Sequence, residues 1–429
     1  MKRINREILS LAVPSIVTNI TTPLLALMDV VIVGHMGSAD YIAAIAVGGT
    51  MFNMIYWMFA FLRMGPSGLT AQAHGADDEK GCSLILFRGL SVAMAASVII
   101  IIAQRLILKG ALSILEVHGS VGKMAETYFR ILVWGAPASL STFVLTGWFL
   151  GMKNAKAPMI VSFLINISNI AVSLFLVFVL GMKVEGVACG TLSAQWLGLI
   201  VGMIIVWRKY HPTVPNIIEI IDTDGLKRFF AVNSDIFLRT LCLIAVTMWF
   251  TRAGSSQGTV ILAVNTLLMQ FFIMFSYFMD GFAFAGESLC GNYIGQKNIE
   301  ELKSCINHLF RWSVVMVAVF TIVYTLFGQE IMSLISDDRD VILSSKEFFN
   351  WVIAIPAVGF AAFTWDGIFI GATRTREMLL SMAVATAIYF VVYHILFPII
   401  GNHGLWISFL AYLMSRGIIL SLMYRRLFK

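Results

Sequence analysis

Residues 23–37 read PLLALMDVVIVGHMG and place one carboxylate, Asp29, inside an apolar segment long enough to cross a membrane. A charged Asp at the bilayer centre costs from about 2.5 to more than about 10 kcal/mol, depending on how the free energy is measured. Such a residue therefore faces protein or a water-filled cavity. We expect Asp29 to have a transport role; the alternative is a structural acid that caps a helix or forms an ion pair.

The composition predicts a polytopic membrane protein. Of 429 residues, 59% are hydrophobic and 13% are charged, and the mean hydropathy is +0.86, well above that of ordinary soluble domains. The formal net charge of +6 comes from Lys and Arg residues scattered among loops and chain ends rather than gathered in a stripe, so we expect no nucleic-acid partner. No P-loop motif is present, which argues against direct use of ATP.

Twelve apolar segments of about 20 residues or more predict twelve transmembrane helices and an all-α fold. They cover 8–33, 41–64, 84–103, 124–150, 157–180, 186–207, 226–251, 258–285, 303–327, 345–371, 376–399 and 403–424. With the N-terminus inside, Lys and Arg concentrate in the cytoplasmic loops, so we predict that both termini are cytoplasmic.

The two halves of the chain carry the same landmarks. The pentapeptide GWFLG at 147–151 recurs as GIFIG at 367–371, and Pro137 and Pro356 precede them at an offset of about 220 residues. The sequence therefore predicts two six-helix lobes, 1–208 and 226–429, joined by a cytoplasmic linker, 209–225. Repeats of six helices share one orientation and are related by a pseudo-two-fold axis along the membrane normal. We expect a cleft between the two lobes that opens alternately to each side of the membrane.

Five stretches resemble the multidrug and toxic compound extrusion (MATE) transporters, in particular the DinF (DNA-damage-inducible) branch. They are PLLALMDVVIVGHMG (23–37), LRMGPSGLTAQAHG (62–75), NSDIFLRTLCL (233–243), YFMDGFAFAGESLCG (277–291) and WDGIFIGATRTREM (365–378). The resemblance spans essentially the whole chain. It implies a V-shaped pair of six-helix bundles and an antiporter that exports amphipathic, often cationic, organic compounds against protons or sodium ions.

The resemblance also implies roles for individual residues. Asp29 matches the first-helix acid used for ion coupling, and Pro14 matches the proline at which that helix bends; Pro23 is a second candidate hinge, because a proline inside a helix removes one backbone hydrogen bond. Asn169 matches the Asn of an N-x-x-x-D pattern in the fifth helix. The acid of that pattern is Ser173 in this sequence.

The loss of this acid bears on the coupling ion. A sodium site needs several oxygen ligands, commonly with more than one carboxylate, whereas a proton needs a single buried acid. We therefore expect protons rather than sodium to drive transport, with no cofactor and no bound metal.

Charged residues of the C-terminal half form a candidate polar patch for a cationic substrate or a second ion. They are Asp235, Arg239, Asp280, Glu287 and Asp366. Asp280 and Glu287 are two helical turns apart and face the same way. The alternative is structural pairing of these acids with Arg239, Arg416 or His394 across the bundle.

Two further charges have competing interpretations. Asp235 and Arg239 lie four residues apart, so they share a helix face and could pair. Arg63, near the end of the second helix, is a candidate cavity charge, and the alternative is that it snorkels to the membrane interface.

The sequence thus predicts a secondary active multidrug antiporter, monomeric and located in the inner membrane of a bacterium, that moves small organic substrates across the bilayer. A lipid or lipid-linked precursor flippase is the first alternative, but its cavity would be expected to be basic, and the embedded charges here lean acidic. A membrane-embedded enzyme is disfavoured, because no paired Asp-rich or His/Glu motif appears within the helices.

Overall fold

The structure is a computed structural model that describes residues 2–34, 38–336 and 338–428, with side chains at all of these except positions 2, 22, 24–27, 30, 39 and 228. Residues 35–37, which end the opening stretch of the sequence, lie outside the described residues. Within the described ranges every regular element is a helix, which confirms the predicted all-α class.

Nine α-helices make up the first half of the chain. They are α1 (Lys2–Gly34), α2 (Ala39–Met58), α3 (Phe61–Gly75), α4 (Glu79–Ile102), α5 (Gln104–Ile114), α6 (Gly119–Leu132), α7 (Ala136–Gly151), α8 (Lys156–Leu174) and α9 (Val184–Tyr210). A short π-helix, Phe175–Val179, continues α8.

Seven α-helices follow in the second half. They are α10 (Ile217–Ile220), α11 (Thr223–Ser255), α12 (Thr259–Gly295), α13 (Ile299–Ile335), α14 (Arg339–Gly371), α15 (Thr375–Ile400) and α16 (Asn402–Leu422). A 3-10 helix, η3 (Tyr424–Phe428), follows α16.

Eleven segments of the described ranges are long and apolar enough to cross a membrane. One of them comprises α2 and α3, and another comprises α6 and α7 with the 3-10 turn Val133–Gly135 between them. Helix α1, with 33 residues, has sufficient length to be the twelfth. The architecture is therefore compatible with the twelve predicted spans.

Several boundaries differ from the sequence prediction. Helix α5 occupies a region predicted as a connection, and α12 and α13 continue past the predicted segments to Gly295 and Ile335. The reason is that a helix can extend beyond its apolar segment where the free backbone N–H and C=O groups at its ends have other hydrogen-bond partners. At the start of α13, for example, the Asn298 side chain accepts a hydrogen bond from the backbone N–H of Glu301 at 3.1 Å.

The chain divides into two compact units. The N-unit is Val17–Phe230, and the C-unit combines Met1–Ile16 with Ala231–Lys429. Each has its own buried apolar core, built around Trp148 and Phe129 in the N-unit and around Trp406 and Phe275 in the C-unit.

The start of α1 belongs to a different unit from the one that the sequence predicts. Residues 2–16 were expected in the N-terminal lobe but pack within the C-unit. There, Gly281 of α12 lies against Ile16 and the backbone carbonyl of Ala12, so closely that a Cβ at position 281 would clash with both. The division therefore falls inside α1, shortly after Pro14.

The predicted linker is part of the N-unit. The guanidinium of Arg88, on α4, is buried and donates hydrogen bonds to the backbone carbonyls of Glu219 at 2.8 Å and Ile220 at 3.1 Å. The Lys80 ammonium lies 2.5 Å from the Glu219 carboxylate, and this hydrogen bond lowers the pKa of Glu219. These contacts fix α10 to the N-terminal part of α4.

Glycines allow a close helix crossing between α7 and α3 in the N-unit. A Cβ on Gly147 of α7 would overlap the carbonyl oxygen of Arg63 on α3, and a Cβ on Gly151 would meet the carbonyl of Ser67 at 2.8 Å. Only a residue without a side chain lets the two backbones approach this closely.

The C-unit repeats this crossing between α14 and α12. Gly367 lies against the carbonyl oxygen of Ala283, and Gly371 lies against that of Glu287. Both the glycines and their partners are offset by about 220 residues from the pair in the N-unit. The recurring glycines noted in the sequence thus have one physical cause, a repeated backbone contact between two helices.

We predict that Gly367→Ala destabilises the protein, because its Cβ would overlap the Ala283 carbonyl and separate α14 from α12. Overpacking of this kind costs about 1–3 kcal/mol. The midpoint of thermal unfolding in detergent measures it, with Gly49→Ala as the matched control, since a Cβ at Gly49 meets nothing within 4 Å. Equal midpoints for the two variants would contradict the repeated crossing.

Candidate functional site

Asp29 lies buried in the N-unit, in the last third of α1, with 7% of its surface exposed. Its Oδ1 atom has no hydrogen-bond partner within the described part of the chain. The side chain of Asn169, on α8, interacts with the carboxyl group. Asp29 and Asn169, which the resemblance named as ion-coupling residues, therefore interact in the N-unit.

Helix α8 brings both of its predicted site residues to this region. Asn169 and Ser173 are four residues apart, hence on one helix face, and both are fully buried. The Asn169 amide donates to Thr191 Oγ1 on α9 at 2.8 Å, and Thr191 donates in turn to the Val187 carbonyl at 3.0 Å. Its amide is therefore anchored to α9.

The position of the missing acid is tightly packed. A Cβ added to Gly190, next to Thr191, would overlap Ser173 Oγ, and the Ser173 backbone nitrogen and Cα lie about 3 Å from that point. The close approach of α9 leaves little space around position 173. Ser173 fits this space, at the position where the family that the sequence resembles has a larger, acidic side chain. The π-helix Phe175–Val179 begins two residues further on.

Three buried oxygens in this site lack hydrogen-bond partners among the described residues. They are Asp29 Oδ1, Asn169 Oδ1 and Ser173 Oγ. A buried acceptor without a donor carries a desolvation penalty of about 1–3 kcal/mol, so such groups require an explanation. A proton on the carboxyl group, or a bound cation, would satisfy oxygens of this kind.

The sequence did not single out two other residues of this site. Tyr128, buried on α6, interacts with Thr191 and lies close to Asp29. Thr and Tyr are ordinary residues within apolar helices, so neither stands out as an isolated acid does. Only the packing of α6 and α9 around α8 reveals them.

Both predicted hinge prolines lie within α1, which is helical from residue 2 to residue 34. Pro14 is buried and Pro23 is partly buried. Each deprives the helix of one backbone hydrogen bond, so α1 has two weakened turns before Asp29.

In the C-unit, Asp366 of α14 lies between two arginines. Arg416 Nη2 of α16 is 2.5 Å from Asp366 Oδ2, and Arg239 of α11 forms a hydrogen-bonded ion pair with the same oxygen. All three residues are buried: Asp366 and Arg239 are each 8% exposed, and Arg416 is 4% exposed. For Asp366, this triad is the alternative considered from the sequence, in which acids of the C-terminal half pair with arginines on other helices.

Two neighbours moderate the excess positive charge of the triad. The ring of Tyr412 lies 5.4 Å from the Arg416 guanidinium carbon, a cation–π distance, and Asp280 is near enough to interact electrostatically with Arg416. Asp280 therefore belongs to the region of the triad, as the predicted patch requires.

The other predicted charges lie in different surroundings. Asp235 accepts a hydrogen bond from Thr375 Oγ1 at 2.8 Å, at one end of α15. Glu287 is fully buried where α12 crosses α14, and Arg63 is partly buried where α3 crosses α7. The residues of the predicted patch thus have different hydrogen-bond and packing partners.

Buried arginines accompany the buried acids in the described part of the chain. The buried charged residues among those described are three acids and three arginines. Arg239 and Arg416 turn inward onto Asp366, and Arg88 turns toward α10. Sequence position alone does not distinguish these arginines from residues at the membrane interface. Among the described residues, no three His, Cys, Asp or Glu side chains gather closely enough to hold a metal ion.

Two repeated units of membrane-spanning helices, each with buried charges in its interior, define a polytopic membrane transporter. The MatE family model matches residues 14–175 and 235–396, two segments of equal length, one in each half of the repeat. The chain belongs to the MATE family of multidrug efflux transporters, whose members are transporters and not enzymes.

Individual relatives agree with this assignment. DNA damage-inducible protein F of Escherichia coli is 35% identical over 418 residues, covering 97% of this chain and 91% of the relative, which confirms the predicted DinF branch. The multidrug resistance protein MdtK of Edwardsiella ictaluri is 22% identical and covers 98% and 95%. A crystal structure of the Vibrio cholerae MATE transporter VcmN in the bent form superposes with a TM-score of 0.89 at 15% identity, covering 100% and 97%, and shares the fold.

We predict that Asp366→Asn strongly destabilises the C-unit. Loss of the carboxylate charge would leave two buried guanidinium groups without their shared counter-ion, and breaking a buried pair in this way costs about 3–5 kcal/mol. The midpoint of thermal unfolding in detergent and the yield of monodisperse protein should both fall. Asp340→Asn, an exposed position on the same helix, is the control. Wild-type stability of Asp366→Asn would contradict a structural triad.

Proposed function

We propose that the chain is an antiporter that exports amphipathic or cationic organic compounds in exchange for protons, with Asp29 as the coupling acid. The supporting observation is that Asp29 is buried beside Asn169 in a cluster of oxygens that lack donors among the described residues. An acid in such a place is stable when protonated, whereas its charged form requires a compensating group.

Protons are favoured over sodium because the cluster contains a single carboxylate. Asn169 and Ser173 contribute neutral oxygens, and the position at which the family pattern has a second acid carries Ser173. A sodium ion here would gain only one formal negative charge. A proton needs no more than that, because it forms a covalent bond with one carboxylate oxygen.

The geometry of α1 supports a route from protonation to movement. Asp29 lies beyond Pro14 and Pro23, and the boundary between the units falls within this helix, after Ile16. A change in the charge of Asp29 alters the balance between conformations in which α1 is straight and conformations in which it bends at a proline. Protons and substrate, each with higher affinity for one conformation, then drive alternating access as a population shift.

The setting of this activity is the inner membrane of a bacterium. We propose that both termini are cytoplasmic, from the distribution of Lys and Arg in the loops, and that the protein works as a monomer. The substrate class follows the multidrug resistance proteins among its relatives.

We predict that Asp29→Asn abolishes proton-coupled export while the protein still inserts and folds, because the amide is neutral at every pH in the working range. Purified protein in ATP-free liposomes, loaded with a fluorescent lipophilic cation and exposed to a pH gradient, measures the transport rate. The variant should match empty liposomes. Asp77→Asn, in an exposed loop, should match wild type.

The same liposomes distinguish the coupling ions. A sodium gradient at equal pH should drive no transport by the wild-type protein. Transport driven by sodium alone would contradict proton coupling, and a wild-type rate for Asp29→Asn under the pH gradient would contradict its role as the coupling acid.

A further inference from the structure

A cavity of about 590 Å³ opens in the C-unit, away from the Asp366 triad. It lies where α14 ends at Gly371, α15 begins at Thr375 and η3 follows the last helix. Three arginines line it, namely Arg374, Arg376 and Arg426. The first two belong to the stretch ATRTRE, which the ion-coupling and triad sites leave unused.

The arginines outnumber the acids in the cavity. Asp235 and Glu377 also line it, but Asp235 accepts the Thr375 hydroxyl and Glu377 lies 3.8 Å from Arg426. Neither Arg374 nor Arg376 takes part in an ion pair with any described residue. Two guanidinium groups, each with several N–H donors in a planar fork, are therefore available to an anionic ligand.

The backbone adds donors of the same kind. Helix α15 has 26 residues, and its N-cap residue, Arg374, makes no side-chain capping hydrogen bond. The first N–H groups of a helix have no intrahelical acceptor and carry a partial positive charge. At this end of α15 they belong to residues that line the cavity, which strengthens its preference for an anion.

The cavity also has an apolar side. Leu380, one turn further into α15, is 48% exposed, and Ala231 and Val232 of α11 also line the cavity. Helices α14 and α15 are long and apolar enough to cross a membrane, and Arg374 and Arg376 lie where the first ends and the second begins. Charge at one end and apolar surface at the other match an anionic phospholipid.

We propose that this cavity binds the phosphate headgroup of an anionic phospholipid, held by Arg374 and Arg376, with an acyl chain along Leu380. A basic pocket between transmembrane helices is a known way to recognise anionic headgroups. The bound lipid fastens the start of α15 to residues 231–235 of α11, both in the C-unit, and leaves the Asp29 site untouched.

Binding of a fluorescent phosphatidylglycerol to the purified full-length protein in neutral detergent tests the proposal. Arg374→Gln/Arg376→Gln should weaken the affinity about tenfold or more, since hydrogen bonds between charged groups are lost. Arg425→Gln, a neighbouring exposed arginine of η3 outside the lining, is the matched control and should bind as wild type. Equal affinity of the double variant and the control would overturn the site.

Competition identifies the source of the phosphate. Unlabelled phosphatidylglycerol should displace the probe at concentrations where phosphatidylcholine and inorganic phosphate do not. Displacement by inorganic phosphate at least as effective as by the lipid would overturn the assignment to a lipid. Arg374→Lys/Arg376→Lys keeps the positive charge and should bind the lipid more tightly than the glutamine double variant. In lipid-free detergent, the glutamine double variant should unfold at the same thermal midpoint as wild type.

Discussion

The burial of charge inside membrane-spanning helices is the constraint on which this structure depends, and the chain meets it in two ways. In the C-unit, Asp366 is neutralised by permanent cations, Arg239 and Arg416. In the N-unit, Asp29 interacts with Asn169, which is itself hydrogen-bonded to Thr191. A carboxylate held by two guanidinium groups is well suited to hold helices together. One whose described hydrogen-bond partner is the neutral Asn169 is suited to gain and lose a proton, and this contrast is the basis of the proposed division of labour between the units.

The two units share a backbone design but not a chemistry. Paired glycines let α7 cross α3 and α14 cross α12 at equivalent positions, where carbonyl oxygens leave no space for a Cβ. At one equivalent position of this crossing, Ser67 of the N-unit corresponds to Glu287 of the C-unit, and both are buried. A repeated scaffold therefore carries different polar residues in its two copies. Function in such a repeat is decided by single side chains, whereas the fold depends on the glycines.

Much of the fold follows from the sequence because the bilayer imposes simple rules on apolar length and charge. The spans, the repeat and its glycines are visible in that way. The affiliation of residues 2–16 with the C-unit is not, since it depends on Gly281 meeting Ala12 and Ile16 across about 265 residues of chain. In the site, Asp29 and Asn169 stand out as polar residues in apolar helices. Thr191 and Tyr128 do not stand out in this way. Only tertiary packing reveals that Asp366 forms ion pairs with both Arg239 and Arg416.

The proposed coupling requires that Asp29 exchange its proton for substrate. Mixing a transported lipophilic cation with purified protein in a weakly buffered detergent solution, and following pH with a dye, measures this exchange without any membrane gradient. We expect wild-type protein to release protons on binding substrate and Asp29→Asn to release none, and we expect sodium ions not to change either result. Equal proton release by wild type and Asp29→Asn would contradict the proposed coupling.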